Sequence, residues 1–311
     1  MKILIIDEMH LSILELLRND GHEVEYAPEI TREDIMVKIG EVEGLIIRSK
    51  TPMDRPLLEL ASQLKFIGRA GAGLDKIDLD YLEGRGIKLF HAAKGNRDAV
   101  AEHAIGGLLA LFNHMVKSDT EVRKGIWDRE GNRGHELKGK TVGVMGFGNM
   151  GKAFAKRLQG FGVRILAYDK YKKNFSTDQV EEVSWEMLKK EADILSIHVP
   201  LTPETKGFFT LEELKGFAKP FWLINTARGE VISFSTLNQA LDLGILKGAV
   251  LDVLENEKFK KFSPEQQAEF SRLAKRENVL FSPHVAGWTF ESYEKINQVL
   301  VEQIRKEFKS F

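Results

Sequence analysis

The sequence predicts an α/β protein built from two doubly wound parallel sheets, and three observations carry this expectation. Short apolar runs ending near Gly, Asp or Ser alternate with helical patterns throughout the 311 residues, which is the signature of parallel βαβ architecture. The runs fall into two series separated by a long helical stretch. The second series opens on a glycine-rich loop set between a strand pattern and an amphipathic helix pattern.

In chain order, the first series places strands at Ile3 to Ile6, Glu23 to Ala27, Leu45 to Arg48, Phe66 to Arg69 and Ile87 to His91. Asp98 to Lys117 then reads as one continuous helix, in which Gly106 and Gly107 mark a place of close packing. Gly125 to Gly134 is polar, aromatic and rich in turn residues, and reads as a loop over a partner or a site. The second series has strands at Thr141 to Met145, Val163 to Tyr168, Ile194 to Val199, Trp222 to Asn225, Ala249 to Val253 and Val279 to Ser282. Within it, Lys258 to Asn278 is a charged insertion. Its Ser263, Pro264 and Gln266 predict a capping box with proline at the first position of a short solvated helix.

The segment Thr141 to Asp169 carries the strongest chemical signal. Gly146 permits a tight turn after the strand, Gly148 lets backbone approach a pyrophosphate, and Gly151 lets the following helix pack on the strand. That helix, with Phe154, Leu158 and Phe161 on one face, points its N–H groups and positive dipole end at the anion. Asp169 lies 23 residues beyond Gly146, where a carboxylate reaches ribose hydroxyls and repels a 2′-phosphate, so NAD is expected over NADP.

Composition narrows the remaining classes. The length suits two ordinary domains, and 43% hydrophobic with 29% charged residues is the balance of a soluble globular protein. A formal net charge of −1 provides no field for nucleic acid or an anionic membrane, so neither partner is expected. The absence of cysteine excludes disulfides, thiolate metal sites and cysteine nucleophiles, and suits the cytoplasm. The apolar runs Ile3 to Ile6 and Ile105 to Phe112 are too short for a signal-peptide core or a membrane span. No metal-ligand spacing is present.

Three polar residues follow strand candidates of the second series, where ligands of open α/β sheets bind: Arg228 in INTARG, Glu257 in LDVLENE and His284 in FSPHVAG. A histidine beside a ketone can protonate the alkoxide that hydride transfer creates. A neighbouring carboxylate orients the imidazole and favours its charged form. An arginine presents a planar fork to a substrate carboxylate. The set meets the needs of 2-keto acid reduction.

With these segments in place, the chain resembles the D-isomer-specific 2-hydroxyacid dehydrogenases, most narrowly the D-3-phosphoglycerate dehydrogenases. The likeness runs through GRAGAGLDKID, HAAKGNRDAVAEH, HELKGKTVGVMGFGNMGKAFAKRLQGFG, HVPLTPETKG, INTARGEVI, LDVLENE and SPHVAGWT. It implies a Rossmann NAD-binding domain, residues 99–286, inserted into a discontinuous flavodoxin-like substrate domain, residues 1–98 and 287–311. It implies substrate orientation by Arg228, acid/base chemistry by His284 and tuning of that histidine by Glu257. It further implies cofactor contacts from Asn149 and Met150 beside the glycines, from His198, Val199, Pro200 and Thr205, from Thr226 and Ala227, and from Asp252 and Gly287. A homodimer joined through the NAD-binding domain is implied as well.

Two departures from the family pattern stand out. Lys258 follows Glu257 where the family usually has proline, which leaves Glu255 as a rival for the tuning role. The chain also lacks the serine-sensing domain of many longer phosphoglycerate dehydrogenases, so feedback through that domain is not expected. For a phosphorylated substrate the candidate cations are Arg48 and Lys50 in RSKT and Arg69 in GRAGAG. Ala70, Gly71, Ala72 and Gly73 would let backbone N–H groups approach the substrate carboxylate. Arg129 and Arg133 could contribute across a dimer interface. The expected reaction is NAD-dependent oxidation of D-3-phosphoglycerate to 3-phosphohydroxypyruvate, at the entry to serine synthesis. The alternatives are a hydroxypyruvate or glyoxylate reductase and an NAD-sensing corepressor-like scaffold.

Overall fold

The computed structural model describes residues 1–308. In chain order its elements begin β1 (Lys2–Ile5), α1 (Ser12–Asn19), β2 (Glu23–Tyr26), α2 (Arg32–Lys38), β3 (Gly44–Ile47), α3 (Arg55–Glu59), β4 (Phe66–Arg69), α4 (Leu79–Gly84) and β5 (Lys88–His91). They continue with α5 (Arg97–Phe112), α6 (Met115–Arg123), β6 (Thr141–Met145), α7 (Asn149–Leu158), β7 (Arg164–Tyr168), β8 (Glu181–Glu182), α8 (Trp185–Glu191) and β9 (Ile194–Ile197). The remainder is α9 (Leu211–Lys215), β10 (Phe221–Asn225), α10 (Phe234–Asp242), β11 (Leu246–Leu251), α11 (Pro264–Leu273), β12 (Val279–Phe281) and α12 (Phe290–Phe308).

Two compact units result. One comprises Met1–Arg97 with Trp288–Phe311, and the other Asp98–Gly287. The first holds a five-stranded parallel sheet, order β2-β1-β3-β4-β5. Alternate side chains of its strands point to opposite faces, so each face needs its own cover. Leu4, Ile6, Leu45 and Ile67 meet Ile35 of α2 and Leu57 and Leu58 of α3. Ile3, Ile5, Ile46 and Phe66 meet Ile13 and Leu17 of α1 and Leu300 and Ile304 of α12. The last helix therefore completes the sheet that begins at the N-terminus. Gly95 allows the close approach, because a Cβ there would lie 2.7 Å from the Ile296 Cα.

The second unit is a seven-stranded parallel sheet, order β12-β11-β10-β9-β6-β7-β8. Val142, Val144, Ile194, Ile224 and Val250 face α5 and α7, while Leu195, Leu223, Ala249 and Leu251 face the helices on the other side. Burial on both faces makes β9 and β10 largely apolar, with Ser196 and Asn225 their buried polar members. Gly107 on α5 answers to the expected close packing, since a Cβ there would sit 2.6 Å from Val250 Cγ1. Gly106 does not, as nothing lies within 4 Å of its added Cβ.

One expectation is corrected. The stretch from Asp98 to Lys117 is two helices bent by 57°, because the chain turns at Asn113 and at His114, whose φ of 50° is left-handed. Asn and His are among the residues that most readily adopt that conformation. The turn leaves the Phe112 ring 4.7 Å from Trp222 in the core and offers the Phe112 carbonyl to the His135 N–H at 2.9 Å. Among the described residues no single helix is long and apolar enough to cross a membrane. The insertion folds as its sequence predicts. Ser263 caps α11, Pro264 is its first residue, and Gln266 closes the capping box.

Candidate active site

The order in which the chain lays down strands reverses between β6 and β9 of the second sheet, and the carboxyl ends of the strands at such a switch point are where ligands of these sheets bind. Gly146 follows β6 with a φ of 92°, and a Cβ there would meet the His198 carbonyl oxygen at 2.7 Å. Gly151 lies over the same turn, where a Cβ would come to 2.1 Å from the Gly146 oxygen. Gly148 starts α7 with no side-chain cap, and only Lys172 Nζ, at 3.8 Å, comes near its added Cβ. Asn149 and Met150 form the first turn behind it. The loop is thus a cradle open at a helix N-terminus, the form a dinucleotide pyrophosphate requires.

Asp169 lies just beyond β7 and organises this cradle. Its Oδ2 accepts the Phe147 N–H at 2.8 Å, and its Oδ1 accepts those of Tyr171 and Lys172 at 3.0 Å. Burial alone would raise this carboxyl, but the three backbone donors and Lys172 hold it below its ordinary value. A carboxylate offers about four acceptor positions, so one remains for a ligand hydroxyl. Val199 and Pro200 follow β9, and Thr205 Oγ1 donates to the Pro200 carbonyl at 2.7 Å. The His198 ring is turned inward. Its Nε2 lies 2.8 Å from Ser196 Oγ, and burial pushes its pKa down to about 3, so it is neutral.

After β10, the fully buried Asn225 pins the TARG turn, accepting the Ala227 N–H at 3.0 Å and donating to the Arg228 carbonyl at 2.9 Å. Thr226 Oγ1 is buried with no protein hydrogen-bond partner, which leaves its capacity to donate and accept unused. Arg228 Nη1 donates to the Ala227 carbonyl at 2.7 Å.

His284 follows β12, and its Nδ1 lies 2.9 Å from Glu257 Oε1. A carboxylate only accepts, so Nδ1 carries the proton and Nε2 is left to exchange one with a reacting group. The hydrogen bond and charge of Glu257 raise the imidazole above 6.5 despite its burial, with help from Asp252 and against Arg228. Burial would raise Glu257 in turn, but His284 and Arg228 hold it below 4.5. Both partners are 47% exposed, so a ligand can reach the pair.

Backbone geometry fixes this histidine. Its φ is 54°, a conformation costing about 1–2 kcal/mol for a residue with a Cβ. Asp252, 1% exposed after β11, sustains it. The Asp252 carbonyl accepts the His284 N–H at 2.8 Å, while its carboxylate accepts the Val285 and Ala286 N–H groups at 2.9 Å and Ser282 Oγ at 2.6 Å. The Ser282 proton is thereby committed to Asp252, so His103 Nε2, 2.8 Å away on α5, donates to the hydroxyl. Gly287 ends this segment.

The sequence left Glu255 and Glu257 as rivals, and the structure separates them. Glu255 Oε2 accepts the Phe234 N–H at 2.7 Å, at the start of α10, and its Oε1 accepts from Gln266 at 3.2 Å. Glu257 is the carboxylate on the histidine.

In the first unit, Arg48 follows β3 with its guanidinium 4.1 Å from the Trp288 ring centroid and 5.4 Å from that of Tyr293. Burial lowers its pKa, an effect the neighbouring Tyr293, Asp7 and Glu8 oppose. The Lys50 ammonium is occupied by the carbonyls of Pro28 and Ile30, at 2.5 and 2.9 Å. Arg69 ends β4 and donates to the Ala70 carbonyl at 2.5 Å. Ala70 is buried, Gly71 has a φ of 147°, and Ala72 and Gly73 continue the turn. In the polar loop of the second unit, Arg133 pairs with Glu130 at 2.6 Å and Arg129 is exposed.

The family described as "D-isomer specific 2-hydroxyacid dehydrogenase, NAD binding domain" matches residues 105–286, more than half of the chain. The chain belongs to this family. A hydroxypyruvate reductase of Thermotoga maritima is 35% identical over 97% of this dehydrogenase-family chain and 96% of its own length. A D-3-phosphoglycerate dehydrogenase of Methanocaldococcus jannaschii is 34% identical over 98% of this chain, which spans only 57% of that relative. The crystal structure of D-lactate dehydrogenase from Aquifex aeolicus, complexed with NAD and lactic acid, superposes with a TM-score of 0.83 at 26% identity, covering 99% of this chain and 95% of that one.

For this member of the 2-hydroxyacid dehydrogenases, several site residues escaped the sequence reading. Asn225 holds the arginine turn, Ser282 and His103 complete the Asp252 network, and Gln266 reaches the glutamate segment. Asn225 ends a buried strand just before TARG, a position that could have marked it. Gln266 is visible in the sequence as a capping-box residue, and Ser282 and His103 lie within SPHVAGWT and HAAKGNRDAVAEH, but their partners here come from 10 or more residues away and are set by tertiary folding.

Proposed function

We propose that this protein interconverts a D-2-hydroxy acid and its 2-keto acid with NAD, and that its substrate is D-3-phosphoglycerate, oxidised to 3-phosphohydroxypyruvate. The observation that carries the reading is the 2.9 Å contact of His284 Nδ1 with Glu257, which leaves Nε2 as an accessible acid/base. The Gly146 to Gly151 cradle, Asp169 and Thr226 would hold the dinucleotide, whose chemistry when bound would be to supply or take a hydride. For keto acid reduction, protonated His284 gives its Nε2 proton to the alkoxide oxygen, and Glu257 stabilises the charged imidazole beforehand. Arg228 orients the substrate carboxylate through its planar fork. In oxidation the same nitrogen takes the hydroxyl proton.

The phosphorylated substrate is supported by the names of several relatives and by Arg48 and Arg69 at the ends of β3 and β4. A second reading, a hydroxypyruvate or glyoxylate reductase, is favoured by two observations. Lys50 is occupied by backbone carbonyls, and a relative matched along 96% of its own length is a hydroxypyruvate reductase. We further propose a homodimer through the NAD-binding domain, supported by exposed Met115, Val116, Val122, Ile126 and Trp127 on α6 and the loop after it.

The deciding experiment follows NADH consumption with 3-phosphohydroxypyruvate, hydroxypyruvate, glyoxylate and pyruvate, with NADPH as the control. A preference of about a hundredfold for the phosphorylated acid, near 2.7 kcal/mol, is expected. Equal rates on the unphosphorylated acids would establish the second reading. His284→Asn is expected to abolish turnover while sparing NADH binding.

A further inference from the structure

The charged segment 258–278 has no part in the chemistry above. Its contacts converge on the segment that carries Glu257. The chain around Glu257 lies outside helix and strand, yet Glu257 Oε1 sits 2.9 Å from one imidazole nitrogen.

A single side-chain amide supplies much of the stiffness. Gln266 Nε2 donates to Glu255 Oε1 at 3.2 Å, and its Oε1 accepts from Asn256 Nδ2 at 3.2 Å and from the Ser263 N–H at 3.3 Å. Asn256 Oδ1 accepts the Lys258 N–H at 2.9 Å, so the side chains before Glu257 and the backbone directly after it are tied together. The amide is itself anchored, because Gln266 is the third residue of α11 and closes its capping box. Phe270 seats that helix with ring centroids 5.6 Å from Phe234 and 5.9 Å from Phe281. The fully buried Asn238 of α10 donates to Glu269 of α11 at 2.7 Å.

We propose that Gln266 is a positioning residue for Glu257, and that the insertion 258–278 is a buttress holding the Glu257 carboxylate on His284 Nδ1. This rests on the acid/base reading of that pair. It predicts that loosening the amide changes the electrostatic environment of a histidine the amide never touches.

The test compares the full chain with Gln266→Ala and Gln266→Glu by NMR titration of the histidine rings, the His284 signal being assigned from its loss in His284→Asn. Gln266→Ala is expected to move the His284 midpoint down toward 6.5 and to weaken helix α11. Gln266→Glu keeps a capping-box acceptor but sets a second carboxylate against Glu255. It is therefore expected to recover thermal stability without recovering the midpoint. Keto acid reduction should track these midpoints, with a loss of about tenfold for Gln266→Ala above the shifted value. Wild-type midpoints in both variants, whatever their melting temperatures, overturn the buttress. Full turnover by His284→Asn would instead defeat the acid/base reading, and the NMR comparison would still decide the role of Gln266.

Discussion

Replacing Gly229 by alanine should cripple catalysis while leaving cofactor binding intact. Gly229 is buried directly after Arg228, against the segment that leads to Glu257. A Cβ on it would lie 1.8 Å from the Leu254 carbonyl oxygen and 2.6 Å from the Glu255 nitrogen, whereas real Cβ atoms essentially never come closer than 3.0 Å. Both neighbours are backbone, so no rotamer change relieves the clash, and the two loops must part by 1.2 Å. A displacement near 1 Å at a reacting centre costs about a hundredfold in rate, or ~2.7 kcal/mol. The overpacking itself should lower stability by about 1–3 kcal/mol. The assay is kcat/KM with NADH and the preferred keto acid, beside NADH titration by tryptophan fluorescence and a thermal melt. Gly160→Ala is the control. Nothing lies within 4 Å of its added Cβ, so it should stay within about 0.5 kcal/mol of wild type. A folded Gly229→Ala enzyme within about fivefold of wild-type kcat/KM would refute the claim that this contact sets the geometry of Arg228 and Glu257.

Glu257→Gln removes the charge that raises His284, so the pH at which keto acid reduction fails should fall toward 6.5; an unchanged pH profile would show that the acid/base group lies elsewhere. His198 is neutral in the folded chain, with a pKa of about 3 against 6.5 when exposed. As pH falls below 6.5 the unfolded chain gains a proton the folded one refuses, so stability drops by up to about 1.4 kcal/mol per pH unit. His198→Gln should flatten urea midpoints measured between pH 7 and 5, and equal slopes would refute its burial as a neutral ring. Gly107→Ala should cost about 1–3 kcal/mol through Val250, while Gly106→Ala, with open space around it, should gain about 0.5–1 kcal/mol; urea titrations of both variants check the contrast.

The strands were legible because parallel strands covered on both faces are mostly apolar, as Ile194–Ile197 and Phe221–Asn225 are, with Ser196 and Asn225 their polar members. Strand β11 starts three residues before its apolar run, at Leu246, because Lys247 and Gly248 disguise it. Lys247 lays its ammonium 4.4 Å from the Trp222 ring centroid, and Gly248 has no room for a Cβ beside the Asn278 oxygen. The edge strand Glu181–Glu182 offers no apolar signal, and the bend at His114 follows from tertiary contacts of Phe112. At the candidate site, the residue types and strand-end positions of Arg228, Glu257 and His284 marked them as candidates. Choosing between Glu255 and Glu257 required the fold, since two glutamates two positions apart differ only in what each one meets. The same limit applied to Lys50, whose charge is evident from sequence and whose direction is not.

The packing of α12 has a consequence for synthesis. Ile3, Ile5, Ile46 and Phe66 emerge early from the ribosome, but Leu300 and Ile304, which help to cover them, lie more than two hundred residues further on. Until those residues arrive, one apolar face of the first sheet is covered only in part, by α1, while everything the Asp98–Gly287 unit needs has already been made. The second unit is therefore free to fold before the first is complete, and the waiting face is the surface a nascent chain must shield from aggregation. A ribosome-stalled chain ending before α12 should recruit holdase chaperones to the sheet at its N-terminus.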